Sequence, residues 1–215
     1  MDLSYLREHF DVVWELSVAH MRISISALLI ALPIAIVLSV IGIWLRPVRQ
    51  PVLWSVGFLY TIPSLAMLAF LIPSQGLGLR PTLILLVMYA QVFLVRNIIT
   101  GLRGVDAATL EAARGIGMTQ AQVMVRVWFP IALPVILAGV RIALVTIIGL
   151  AVLGGWVTAG GLGELLFQGI STDNPAKVLA GLIAIVALAL LADLSVRLLG
   201  SLTAVARARR AAARG

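Results

Sequence analysis

The sequence predicts an all-α membrane protein with five transmembrane helices, and three observations carry that prediction. Of 215 residues, 61% are apolar and only 12% are charged, against roughly 25% charged in an ordinary soluble domain. The mean hydropathy of +1.10 is spread along the chain, which excludes a soluble domain with a single anchor. The basic residues behind the net charge of +7 lie in short gaps between apolar runs. That distribution anchors loops at a bilayer and does not form the basic stripe of a nucleic-acid binder. With no cysteine present, disulfide scaffolds and cysteine metal sites are excluded.

Residues Tyr5 to His20 place Leu6, Phe10, Val13 and Trp14 at helical spacing, which predicts an interfacial helix over 1–20, outside the membrane. The first span is Ile23 to Leu45, a charge-free run of roughly 34 Å as a helix, enough for a hydrocarbon core of about 30 Å. It does not read as a cleaved signal, because Asp2, Glu8, Asp11 and Glu15 stand where a basic n-region belongs. The second span is Val52 to Ile72, with Pro73, Gly76 and Gly78 supplying a turn. The third is Pro81 to Ile99, with Arg96 and Asn97 near one end, where arginine can snorkel to the interface. Leu133 to Leu153, interrupted by Arg141, is the fourth, and Val178 to Leu199, interrupted by Asp193, the fifth.

Five spans leave the two ends on opposite sides. One set of connecting segments holds eleven basic residues, among them Arg46, Arg49, Arg103, Arg114 and Arg126, whereas the other holds four, Arg7, Arg22, Arg80 and Lys177. The bias predicts that the first set is cytoplasmic, with the N-terminus outside and the C-terminus inside. The membrane domain then covers 21–200, with a cytoplasmic loop at 100–132. The basic tail at 201–215 reads as an anchor to anionic membrane lipid.

The loop carries local signals for two short helices. Asp106 suits the N-cap of a helix from Ala107 to Arg114, which Gly115 and Gly117 stop. Thr119 with Gln122 three residues later is a capping-box pattern, opening a second helix that Pro130 is expected to end. Ala107, Ala108, Ala112 and Ala113 leave little bulk on the first helix, so another protein could approach its backbone. Equally, Glu111 and Arg114 could pair on a solvated helix for about 0.2–0.5 kcal/mol.

Glu111-Ala112-Ala113, three residues, Gly117, nine residues and then Val127-Trp128-Phe129-Pro130 resembles the EAA signature of permease subunits of bacterial ABC importers. Val127 and Phe129 stand where Ile and Leu are usual, and Ile131-Ala132-Leu133-Pro134 restates the usual ending. Tyr60-Thr61-Ile62-Pro63-Ser64-Leu65, Leu94-Val95-Arg96-Asn97 with Thr100-Gly101, and Ala159-Gly160-Gly161-Leu162-Gly163 resemble the glycine betaine, carnitine and choline branch. Together these cover about residues 18–199.

The resemblance implies the type I importer permease fold in a bacterial inner membrane. It also implies a coupling helix, with Glu111, Ala112, Ala113 and Gly117 as its contact on an ATPase. The implied partners are a second permease chain, identical or paralogous, two cytoplasmic ATPase subunits and an extracytoplasmic solute-binding protein. ATP and magnesium would belong to the ATPase, leaving no cofactor here. Independently, a Walker A loop needs glycines followed by Lys and Ser/Thr, and the only lysine, Lys177, follows Asn174-Pro175-Ala176. The chain is therefore not expected to be an enzyme.

His9 and His20, the only histidines, have no third ligand patterned nearby, so no metal site is predicted. A hydrolytic triad lacks its Gly-x-Ser-x-Gly turn. Arg141 and Asp193 fall in the same half of the membrane and could form a structural ion pair. A proton relay is the second reading and would define a proton-coupled secondary transporter. Tyr60, Thr61, Ser64, Tyr89 and Asn97, polar groups within spans two and three, either line a pathway or join helices. Gly160, Gly161 and Gly163 belong to a glycine-rich stretch that suits a gate, a docking surface or a loose turn. Phe58, Tyr60 and Phe70 cannot all face one point on a helix turning about 100° per residue. No high-affinity aromatic cage is therefore expected, and selectivity is assigned to the separate binding protein.

Overall fold

A computed structural model describes residues 3–201, and every regular element in them is helical. In chain order these are α1 (Ser4–Glu8), α2 (Phe10–Trp44), α3 (Arg46–Thr61), α4 (Ser64–Gln75), α5 (Leu79–Arg103), α6 (Ala107–Gly115) and α7 (Gln120–Val123), then α8 (Phe129–Leu150), α9 (Leu162–Ser171) and α10 (Pro175–Ser201). A π-helical turn, Met124–Trp128, joins α7 to α8, and a 3-10 stretch, Ala151–Val157, follows α8. The basic tail read as a lipid anchor lies, beyond Ser201, outside the described residues.

Four continuous helices are long and apolar enough to cross a membrane: Phe10–Trp44, Leu79–Arg103, Gln120–Val157 and Pro175–Ser201. The expected second span differs, because α3 and α4 meet at a 93° bend. Pro63 lacks an N–H and clashes with a helical residue before it. Ile62 accordingly takes an extended conformation at φ −68°, ψ 129°.

Central in the bundle, α5 packs against α2, α3, α4 and α8, while α10 closes on α8 and α9. Small residues allow the close approaches. His20, Ser24, Ala27, Ala31, Ala35, Ser39 and Gly42 recur every three or four positions along α2 and are all buried. Without a hydrophobic force between helices in lipid, such a stripe lets backbones gain dispersion contact. Between α5 and α8 the fit is tighter, since a Cβ at Gly139 would lie 2.3 Å from Asn97 Cβ.

Two further expectations change. The interfacial helix over 1–20 does not form as a separate body: α1 has five residues, and Phe10 already begins the 35-residue α2. No Gly or Pro interrupts Phe10 to Leu32, and the buried face at Val13 and His20 continues into the stripe. Pro130 does not end the second loop helix either. The Phe129 N–H donates to Met124 C=O, five residues back, so the π turn accommodates the register change. Pro130 then lies at the start of α8, where a missing N–H is tolerated.

Candidate functional site

The bend between α3 and α4 frees backbone carbonyls that side chains must satisfy. The Tyr89 hydroxyl, reaching from α5, donates to Ile62 C=O at the bend. Thr61 donates its hydroxyl to Phe58 C=O at 2.7 Å. Tyr89 is buried, and Tyr60 lies over it with ring centroids 5.6 Å apart. Tyr60 also meets Phe93 edge-on at 5.2 Å. Thus three rings from two helices gather at the bend, although they are not the three that sequence spacing tested. They pack on one another, leaving Tyr60, 42% exposed, as the open ring.

Of the other polar candidates, Ser64 begins α4 beside the bend. Asn97 stands apart from the ring cluster, with its amide donating to Phe93 C=O at 2.8 Å and its Cβ against Gly139 of α8. Its neighbour Arg96 points the other way, toward Gly57 of α3.

At the opposite end of α8, the glycine-rich stretch is a close-packed crossing and not a loose turn. The 3-10 segment and the start of α9 touch backbone to backbone: a Cβ at Gly163 would lie 1.9 Å from Val152 O, and one at Gly155 2.2 Å from Glu164 N. Gly160 and Gly161 turn the chain at φ +87° and +79°, conformations that a Cβ disfavours. His20, which sequence reasoning left near the outer surface, is fully buried here. Its Nε2 lies 2.9 Å from Ile148 O near the end of α8, and its ring packs on Gly161. The signal for it was its place in the small-residue stripe of α2.

Arg141 and Asp193 do meet, Nε to Oδ1 at 2.8 Å. Arg197, one turn along α10, takes the second oxygen at 2.7 Å. Both carboxylate oxygens are engaged, so the arrangement is an ion-pair triad tying α8 to α10. The i,i+4 spacing of Asp193 and Arg197 could have revealed the third member. Among the described residues no group of three or more His, Cys, Asp or Glu could hold a metal ion.

At the far end of the bundle from that crossing, α6 and α7 project. Asp106 caps α6 by accepting from the Ala108 N–H at 3.3 Å. Gly117, at φ +87°, closes it: its N–H donates to Arg114 C=O and the next N–H, of Met118, to Ala113 C=O. This pair of bonds is a Schellman termination. Thr119 and Gln122 form the capping box of α7. Glu111, Ala112 and Gly117 are exposed, Ala113 is buried, and Ile116 is 81% exposed.

The described residues thus form a helical bundle with four long apolar helices and one bent helix pair, a close-packed glycine crossing at one end and an exposed helix–glycine–helix at the other. Comparison with known proteins gives its family. Residues 31–204 match the binding-protein-dependent transport system inner membrane components, and the chain belongs to that family. It is 38% identical over 174 residues to the carnitine transport permease protein OpuCB of Listeria monocytogenes, covering 81% of this chain and 80% of that protein. To the choline transport system permease protein OpuBB of Bacillus subtilis it is 36% identical over the same shares. The fold resembles a chain of the inward-facing MetNI methionine ABC transporter, with a TM-score of 0.70 and 25% identity over 93% of this chain and 98% of that one. The chain is accordingly a multi-pass inner-membrane permease component.

Proposed function

We propose that this permease serves an ATP-driven importer of quaternary-amine compatible solutes such as carnitine, choline or glycine betaine. The observation that carries the reading is the identity of 36–38% over four fifths of the chain with permeases named for carnitine and choline. In this reading the chain pairs with a second permease, identical or paralogous, and works with two ATPase subunits and an outside solute-binding protein. ATP and magnesium reside on the ATPase. The basic-residue bias supports a cytoplasmic α6, so a cysteine at Gln75 should label from outside, and labelling only from inside overturns that orientation.

The α6 segment, with Glu111, Ala112, Ala113 and Gly117, is the coupling contact. An exposed helix fixed by its own caps can move as a unit with a docked subunit. Gln120–Val157 is continuous over 38 residues, and it carries that motion to the crossing of Gly155 and Gly163. Gly160, Gly161 and Gly163 shape the gate there, and Tyr60, Thr61, Ser64 and Tyr89 border the route at the bend. Reconstituted with its partners, the importer should take up these solutes on ATP addition. Gly117→Asp, which adds a side chain and a charge at a left-handed turn, should insert normally yet lose uptake and solute-stimulated ATP hydrolysis. Full uptake by that variant removes the coupling role.

A further inference from the structure

The Arg96 side chain has no hydrogen-bond or ion-pair partner among the described residues, although it stands inside the membrane-spanning α5. An unpaired guanidinium in that setting is costly unless it faces a polar cavity or route. The Arg96 side chain is exposed at the α3–α5 face. It lies across α3, where a Cβ added to Gly57 would be 3.0 Å from its terminal nitrogen. The two helices run antiparallel, so Tyr60 meets Phe93 and, one turn on, Gly57 meets Arg96. Arg96 therefore lies three residues, about 4.5 Å of helical rise, from Phe93 of the ring cluster. Beyond it opens a cavity of about 640 Å³ lined by Gln50, Trp54, Arg96, Thr100 and Arg103, with no carboxylate among its lining residues.

A partly exposed tyrosine ring about one helical turn from an arginine without a partner matches a molecule carrying an ammonium and a carboxylate a few bonds apart. The ring quadrupole attracts the ammonium, and the planar guanidinium fork matches a carboxylate. Choline has a hydroxyl in place of the carboxylate, so it brings a net positive charge to a cavity holding two arginines. We infer that Arg96 is a specificity-determining residue of the permease, contacting the carboxylate of zwitterionic quaternary amines and letting them pass faster than choline. The contact acts on passage, and capture remains with the binding protein. This inference rests on the function proposed above.

The test uses the complete importer in lipid vesicles, with saturating carnitine or choline. Arg96→Met should lower the maximal carnitine rate about tenfold relative to choline, on the scale of one lost charged hydrogen bond, while KM, set by the binding protein, stays put. Arg96→Lys should restore part of the preference. Gly57→Ala, which displaces the guanidinium without removing it, provides an independent arm if Arg96→Met fails to assemble, and should shift the ratio in the same direction by a smaller factor. Equal losses for both solutes, or an unchanged ratio, overturn the inference. A loss equal for both and dependent on anionic lipid in the vesicles assigns Arg96 to a headgroup and likewise overturns it. If the unmodified importer moves neither solute, the proposed function fails and the inference with it; if it moves choline alone, the inference fails while the quaternary-amine reading stands.

Discussion

Two glycine-bearing segments at opposite ends of the bundle use the same residue for different physical reasons. At the crossing of the 3-10 stretch and α9, Gly155 and Gly163 are required because another backbone occupies the space of their Cβ atoms. At the end of α6, Gly117 meets nothing within 4 Å, and its requirement is the positive φ of the turn. The crossing is a packing device whose loss is felt by the bundle. The α6 termination is a conformational device whose loss stays local, in a segment that is largely exposed. Close-packed glycine therefore marks a contact between backbones here, and exposed glycine a turn that needs a positive φ.

Substitutions can break that comparison. The largest effect is expected for Gly163→Ala, because Val152 O is backbone and cannot rotate aside. Overpacking of this kind costs about 3 kcal/mol, so the purified chain should unfold at a clearly lower temperature and uptake should fail. An unchanged melting temperature would show that the crossing yields. A smaller effect is expected at α6. Gly117→Ala forces a Cβ into a left-handed turn at about 1–2 kcal/mol, which should speed proteolysis near the turn without moving the global melting temperature. Gly115→Ala, at the helical end of the same segment with open space around it, should do the reverse by about 0.5 kcal/mol. If the two behave alike, the positive φ is not what Gly117 supplies.

The sequence was most informative where structure is local. Asp106, Gly117 and the Thr119–Gln122 pair act within a few residues of themselves, and the α6 to α7 turn forms as their pattern predicts. Apolar run length likewise located four spans, because a bilayer imposes its thickness on any helix that crosses it. Proline was ambiguous because its effect depends on neighbours. Pro63 bends the chain where Tyr89, 27 positions beyond Ile62, donates to the freed Ile62 C=O. Pro130 is passed over because a π turn precedes it. The contact of Gly155 with Gly163, the meeting of Phe93 with Tyr60 and the burial of His20 on Ile148 all join separate elements. Periodicity within one helix fixes such partners only in part, as the α2 stripe does for His20.

The triad of Arg141, Asp193 and Arg197 has a consequence for biosynthesis. Arg141 lies in α8, and its counter-charge follows fifty-two residues later in α10. At about 5–20 residues per second, synthesis leaves a delay of several seconds between the two. An arginine within an inserting helix is costly, up to about 2.5–3.5 kcal/mol at the helix centre, and α8 carries its cation before Asp193 of α10 exists to pair with it. With α10 in place, the Arg141 guanidinium holds Asp193 at one position along α8. The helix α10 is thus registered against α8 by charge, a constraint that its apolar surface does not itself supply.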